Sequence, residues 1–191
     1  NRLKGVTMPE PEALFDDYAN RSKVLAAHAM GVDKHLYWGH DMKFHGENLY
    51  PQHFSSGIQN AEYRRMNEAQ KKAWDAVYEP ENQKFLADMK AGKLSKKDIV
   101  RWKYQRYVKD YLKSIASLDD GVGSILKYLD ESGLAKNTIV IYSSDQGFYL
   151  GEHGWYDKRW MFEESFKMPF VIDRKSTRLN SSHKPISYAV F

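Results

Sequence analysis

The strongest constraint on this chain is a run of apolar residues at three- and four-residue spacing: Ile99, Trp102, Tyr107, Tyr111, Ile115, Leu118, Val122, Ile125, Leu126 and Leu129. A long amphipathic helix places such a series on one face. Ser95-Lys96-Lys97-Asp98 just before it has the Ser-x-x-Asp form that caps a helix N-terminus. Gly133 suits the left-handed position beyond a helix, which sets the stop near Ser132, and Leu134 is placed to cover the last turn. The β-branched and aromatic run Thr138-Ile139-Val140-Ile141-Tyr142 then predicts a buried parallel strand, covered on both faces. Helix, glycine turn, buried strand and polar loop make half of an α/β repeat. Ligands of such sheets gather at the carboxyl ends of the strands, where Asp145 and Gln146 fall.

The rest of the chain is less regular. Pro9 and Pro11 deny helix to Val6–Glu12 and favour an extended path along the surface. Residues 13–30 have room for a helical piece, residues 31–57 lack a clean period, and Asn67–Met89 reads as two short helices interrupted near Pro80. With 42% hydrophobic and 14% aromatic residues, the chain is too apolar to be disordered. The net charge of +4 does not point to nucleic acid, because residues 173–191 hold +3 of it and leave +1 for the first 172. There is no cysteine, which removes disulfides, thiolate metal sites and a cysteine nucleophile from this stretch. No run of about 18 apolar residues is present, so nothing here forms a membrane-spanning helix. Asn1-Arg2-Leu3-Lys4-Gly5 has neither an initiator Met nor a signal-peptide core, which leads us to expect a processed chain or a missing beginning.

Asp145 offers a carboxylate and Gln146 an amide carbonyl, both hard oxygen donors suited to Ca²⁺ or Mg²⁺, and Gly147 permits the turn that brings neighbours onto one ion. An Asp after a strand serves equally as a turn or cap residue. Lys158 by itself reads as a solvated surface lysine. His153, between Gly151 and Gly154, is a loop histidine either bonded to backbone or reaching a substrate as donor. Arg159 is placed to read a carboxylate, or to pair with Glu163 four residues on. His35, His40, His45 and His53 recur every five residues or more, which does not put them on one helical face and argues against zinc. Tyr37, Trp38 and Tyr50 suit sugar stacking or plain burial. Asp119 and Asp120 fit a solvated helix face.

The stretch Ser144-Asp145-Gln146-Gly147-Phe148-Tyr149-Leu150-Gly151-Glu152-His153-Gly154-Trp155-Tyr156-Asp157-Lys158 resembles the later signature of the formylglycine-dependent sulfatases. The resemblance extends back through Asp110-Tyr111-Leu112-Lys113 and Leu118–Gly123, and forward through Glu163-Glu164-Ser165 and Met168–Ile172. Residues 60–172 carry it, and the first 60 are more loosely similar to bacterial carbohydrate sulfatases related to iduronate and N-acetylglucosamine sulfatases. It implies an α/β fold of the alkaline phosphatase superfamily, a sandwich around a mixed, largely parallel sheet, incomplete here. It also implies hydrolysis of sulfate esters of a carbohydrate, with a formylglycine beside a calcium ion. By position, Asp145 and Gln146 match two metal ligands and Lys158 matches the lysine that contacts the sulfate; His153 and Arg159 are further substrate-binding candidates. Many members have Asn or His where Gln146 stands, and Gln keeps an oxygen donor.

Formylglycine is made within Cys-or-Ser, x, Pro, x, Arg, and the residues two before each proline here are Thr7, Pro9, Leu49, Tyr78, Lys167 and His183. None qualifies, so the expectation is a later part of a catalytic domain over residues 1–172, inactive alone. The tail 173–191 resembles translated adapter sequence and is expected to be foreign. A periplasmic or secreted parent is what the resemblance implies. A phosphatase or phosphodiesterase of the same superfamily, using Ser or Thr and two zinc ions, is an alternative, as is a non-catalytic metal- or sugar-binding remnant.

Overall fold

The computed structural model describes residue 3, residues 5–45 and residues 61–173. Its helices are α1 (Lys23–Ala26), α2 (Ala61–Arg65), α3 (Glu68–Lys90), α4 (Lys96–Glu131) and α5 (Glu163–Phe166). Its strands are β1 (Val140–Ser143), β2 (Tyr149–Leu150), β3 (Tyr156–Asp157) and β4 (Phe170–Asp173). The described residues form two compact units: the first holds residues 5–45, 61–110 and 151–156, the second residue 3 and residues 111–150 and 157–173. Residues 174–191, nearly all of the expected foreign tail, lie outside the described residues, as do His53 and Tyr50.

In the first unit, α3 starts at a capping box in which Asn67 and Gln70 accept each other's backbone N–H, both at 2.9 Å. It then runs through Pro80 unbroken, which corrects the expected pair of short helices. A proline inside a helix costs about 3 kcal/mol. Burial just beyond it offsets that cost: Phe85 stacks on Trp102 at 4.2 Å and lies 5.4 Å from Trp38, and Asn82 is fully buried. Trp38 is 4% exposed, so of the two readings open for it, burial is the one realised.

The cap on α4 forms as expected, with Ser95 N–H donating to Asp98 at 2.9 Å and Asp98 N–H to Ser95 Oγ at 3.2 Å. What α4 buries in this unit is less expected: Lys103, Tyr104, Arg106 and Val108. Two of these are cations, and each has partners. Lys103 donates to the Asp33 carbonyl at 2.8 Å and lies 4.7 Å from the Trp38 ring centroid. Arg106 sits between Tyr78 and Trp102, at 5.1 and 4.9 Å, and donates to Glu81 at 3.2 Å and Asn82 at 3.1 Å. Such contacts replace water around a buried charge. The proline-rich strap is extended as expected but partly inside. Met8 is 9% exposed, Gln105 exchanges hydrogen bonds with it at 2.9 and 2.8 Å, and Tyr104 donates to the Pro9 carbonyl at 2.5 Å.

In the second unit, α4 stops where predicted and Gly133 takes φ +72°. Leu134 is 51% exposed and leaves the last turn uncovered. β1 pairs with β4 in antiparallel register, Ile141 opposite Ile172 and Tyr142 opposite Val171. This corrects the expected buried parallel strand. Ile139 and Ile141 are 57% and 60% exposed, and β4 is the one strand hydrogen-bonded to β1 among the described residues. β-branched composition predicts extended backbone, whereas direction and cover depend on which segments pack alongside. An apolar cleft of about 390 Å³ is lined by Ile115, Leu118, Val122 and Leu126 of α4 together with Val140, Tyr142 and Val171. Asp119 and Asp120 stand exposed on the same helix.

Two stability measurements follow. Asn82→Ala strips Arg106 and the Lys43 carbonyl of a partner. It should cost about 1–3 kcal/mol, read as a lower urea midpoint; an unchanged midpoint would contradict this packing. Burial pulls the Lys103 ammonium down to about 8 from 10.5. Between those pH values the unfolded chain binds more protons than the folded one, so stability rises with pH. Tyr18 and Tyr78, pushed up to about 12 by burial, act oppositely above pH 10. Unfolding midpoints from pH 7.5 to 9.5 should therefore climb in the native chain and lie flatter in Lys103→Met.

Candidate functional site

β1 delivers the chain into Ser144-Asp145-Gln146-Gly147. Ser144 Oγ donates to the Gln146 backbone carbonyl at 2.8 Å and closes a tight turn. Asp145 is exposed and Gln146 half-buried, and neither side chain is engaged by another described residue. Gly147 is buried where the turn meets α5. A Cβ there would lie 2.0 Å from the Glu164 carbonyl oxygen, so only glycine permits the approach. The Gly147 amide uses that closeness to donate to the Ser165 carbonyl at 2.7 Å.

Lys158 is exposed, and its ammonium too is unengaged by the described residues. Its backbone is held from two directions. Ser165 Oγ donates to the Lys158 carbonyl at 3.2 Å, and the hydroxyl of fully buried Tyr149 donates to the Trp160 carbonyl at 3.0 Å. Phe148 stacks on Tyr111 at 5.4 Å, which fixes the intervening segment against α4. Arg159 pairs through Nε with Asp157 at 2.9 Å rather than with Glu163. The backbone explains the choice: Asp157 takes φ +73°, a turned conformation placing its carboxylate beside Arg159, while Glu163 opens α5. The Asp145–Gln146 turn and the Lys158 segment are therefore tied together through α5, within one unit.

His153 belongs to the first unit. Its Nδ1 lies 3.0 Å from Arg21 Nη1, and since a guanidinium only donates, Nδ1 is the acceptor. Arg21 is itself held by Asp16 at 3.0 Å, and the Tyr18 hydroxyl donates to the His153 carbonyl. These contacts support the left-handed φ of +57° at His153. Elsewhere, His35 Nδ1 accepts from Gly31 N–H at 2.9 Å, His40 lies 3.4 Å from Glu62, and His45 Nε2 lies 3.0 and 3.1 Å from Asp75 and Glu79. Among the described residues no group of three or more His, Asp or Glu is arranged to hold a metal ion. Asp145 and Gln146 thus offer two oxygen donors, fewer than the 6–8 that calcium takes.

Sequence reasoning had no signal for Tyr149 or Ser165 as residues that hold this arrangement, and it took Gly147 as permitting the turn rather than as the point of close approach to α5. Ser165 entered only as part of a resembling stretch, because hydrogen bonds made by a backbone carbonyl leave no mark on residue type.

The family model described as Sulfatase matches residues 18–190. The chain is 37% identical over 183 residues to the N-acetylglucosamine-6-O-sulfatase of Bacteroides thetaiotaomicron, covering 95% of the chain and 32% of that relative. Iduronate 2-sulfatase of Mus musculus is 39% identical over 70 residues, 36% of the chain and 13% of the relative. A multifunctional alkaline phosphatase superfamily protein of Trinickia caryophylli is 40% identical over 62 residues, 32% of the chain and 12% of the relative. Among solved structures, BT4656 in complex with its substrate D-glucosamine-2-N,6-O-disulfate superposes with a TM-score of 0.75 at 36% identity, covering 90% of the chain and 34% of that structure. The chain thus spans about a third of the longest-matching relatives.

Gly147→Ala is expected to destabilise the chain by about 1–3 kcal/mol through overpacking, seen as a lower thermal midpoint; a midpoint within experimental scatter of the parent would contradict the close approach to Glu164.

Proposed function

The chain belongs to the sulfatase family, and from that premise we propose that the protein of which it is part hydrolyses sulfate esters of a carbohydrate, with Asp145, Gln146 and Lys158 as this chain's contribution to the site. The observation that carries the reading is the pairing, through Ser165, of a turn with two oxygen donors and a segment presenting an ammonium, none of them engaged by another described residue. The α/β fold of the family extends, in this reading, to a mixed and largely parallel sheet that β1 and β4 join.

A sulfate ester gathers negative charge on its nonbridging oxygens and on the leaving oxygen as the S–O bond breaks, and preorganised positive charge lowers that barrier. Calcium and the formylglycine expected of the family would supply the electrophilic pull and the nucleophile, with Asp145 and Gln146 as this chain's ligands to the ion. The donor chemistry fits the ion: an Asp carboxylate and a Gln amide oxygen are hard ligands, and the remaining ligands must come from residues elsewhere. Lys158 Nζ neutralises and orients the sulfate. Arg159, its Nε held by Asp157, keeps its terminal nitrogens for a carboxylate or second sulfate on the sugar. His153, bonded to Arg21 and carrying the Tyr18 contact, shapes the Gly151–Gly154 loop. The substrate of BT4656 and the name of the Bacteroides relative support a 6-sulfated glucosamine as substrate. A phosphatase or phosphodiesterase is the second reading, favoured by the similarity to the Trinickia protein.

The test uses the full-length protein and 6-sulfated glucosamine. Sulfate release is expected with calcium present, falling by about 10²–10³ in kcat/KM in Lys158→Ala, and calcium content should fall in Asp145→Asn. Two bound zinc ions with hydrolysis of phosphate esters alone would overturn the sulfatase reading in favour of the second.

A further inference from the structure

We infer that Ser165 is a positioning residue that sets Lys158 against the Asp145–Gln146 turn, an inference that rests on the site proposed above. Ser165 is 8% exposed and uses both of its polar ends on the two halves of that site. Its carbonyl receives the Gly147 amide at 2.7 Å, one residue past Gln146, and its hydroxyl gives its single proton to the Lys158 carbonyl at 3.2 Å. A serine in a helix commonly returns its hydroxyl to a carbonyl three or four residues back, within its own helix. Ser165 instead reaches seven residues back, outside α5, to the backbone of the residue expected to meet the sulfate.

The arrangement matters because a lysine ammonium sits on a flexible four-carbon stem, so its reach is only as well defined as its backbone. Tyr149 grips the same segment two residues further on, at Trp160. With both grips in place the segment cannot pivot about Lys158. Without the Ser165 hydroxyl the Lys158 carbonyl loses that hold, and small displacements of a positioning group carry large losses at a reacting centre. Gly147 belongs to the same device, since the absence of a Cβ facing the Glu164 carbonyl is what lets the turn come within hydrogen-bonding range of Ser165.

The experiment is carried out on the full-length, calcium-loaded protein, comparing Ser165→Ala and Ser165→Cys with Lys158→Ala. Inorganic sulfate binding is read by calorimetry, with KM for a sulfate ester, calcium content and the unfolding midpoint measured beside it. Loss of one hydrogen bond should weaken sulfate binding about three- to tenfold in Ser165→Ala and raise KM by the same factor, with a smaller loss in Ser165→Cys and calcium content unchanged in both. Ser165→Cys keeps the side-chain volume and a weak donor, so it carries the test should Ser165→Ala fail to fold. Wild-type sulfate affinity in the folded Ser165 variants, while Lys158→Ala loses it, overturns the inference and leaves the site intact. Wild-type affinity in Lys158→Ala overturns the site and the inference with it.

Discussion

The hydrogen bond from the Gly147 amide to the Ser165 carbonyl holds the second unit's chemistry together. At 2.7 Å it brings the end of β1 against α5, and it exists because no side chain stands between Gly147 and the Glu164 carbonyl. The other placements build on it. Ser165, fixed by that contact, holds the Lys158 backbone, and Tyr149 holds Trp160, so two segments distant in sequence are tied through one short helix. Backbone groups do most of this, and the side chains of Asp145, Gln146 and Lys158 are not engaged by another described residue.

Charged groups are treated differently in the first unit. Lys103 and Arg106 are 3% and 4% exposed, and each meets oxygen acceptors and aromatic faces: the Asp33 carbonyl and Trp38 for Lys103, and Glu81, Asn82, Tyr78 and Trp102 for Arg106, whose buried Nη1 has no hydrogen-bond partner among the described residues. A buried cation with such partners is part of the core. Lys158 and Asp145 are exposed and lack such partners among the described residues.

The long helix, its Ser95–Asp98 cap and its end at Gly133 were legible in sequence because they depend on periodicity and local capping, both set by near neighbours. Pro80 misled, since local propensity predicts a break and the burial of Asn82 and Phe85 decides otherwise. The strand at Val140–Ser143 was found, but its antiparallel partner β4 and its exposed faces were not, because pairing and cover are set by distant segments. The family and the candidate site residues were legible as a motif. The means by which they are held was not: Asp157 rather than Glu163 pairs with Arg159, and Ser165 acts through its carbonyl as much as through its hydroxyl.

The central claim is that Asp145 and Gln146 hold a cation while Lys158 meets the sulfate bound beside it. The most direct measurement is a crystal structure of the full-length protein grown with calcium and inorganic sulfate, the ion located by its anomalous signal. The account predicts calcium within about 2.3–2.6 Å of an Asp145 carboxylate oxygen and the Gln146 amide oxygen, with Lys158 Nζ hydrogen-bonded to sulfate. Calcium ligated elsewhere, with Asp145 and Lys158 left in solvent, would contradict it.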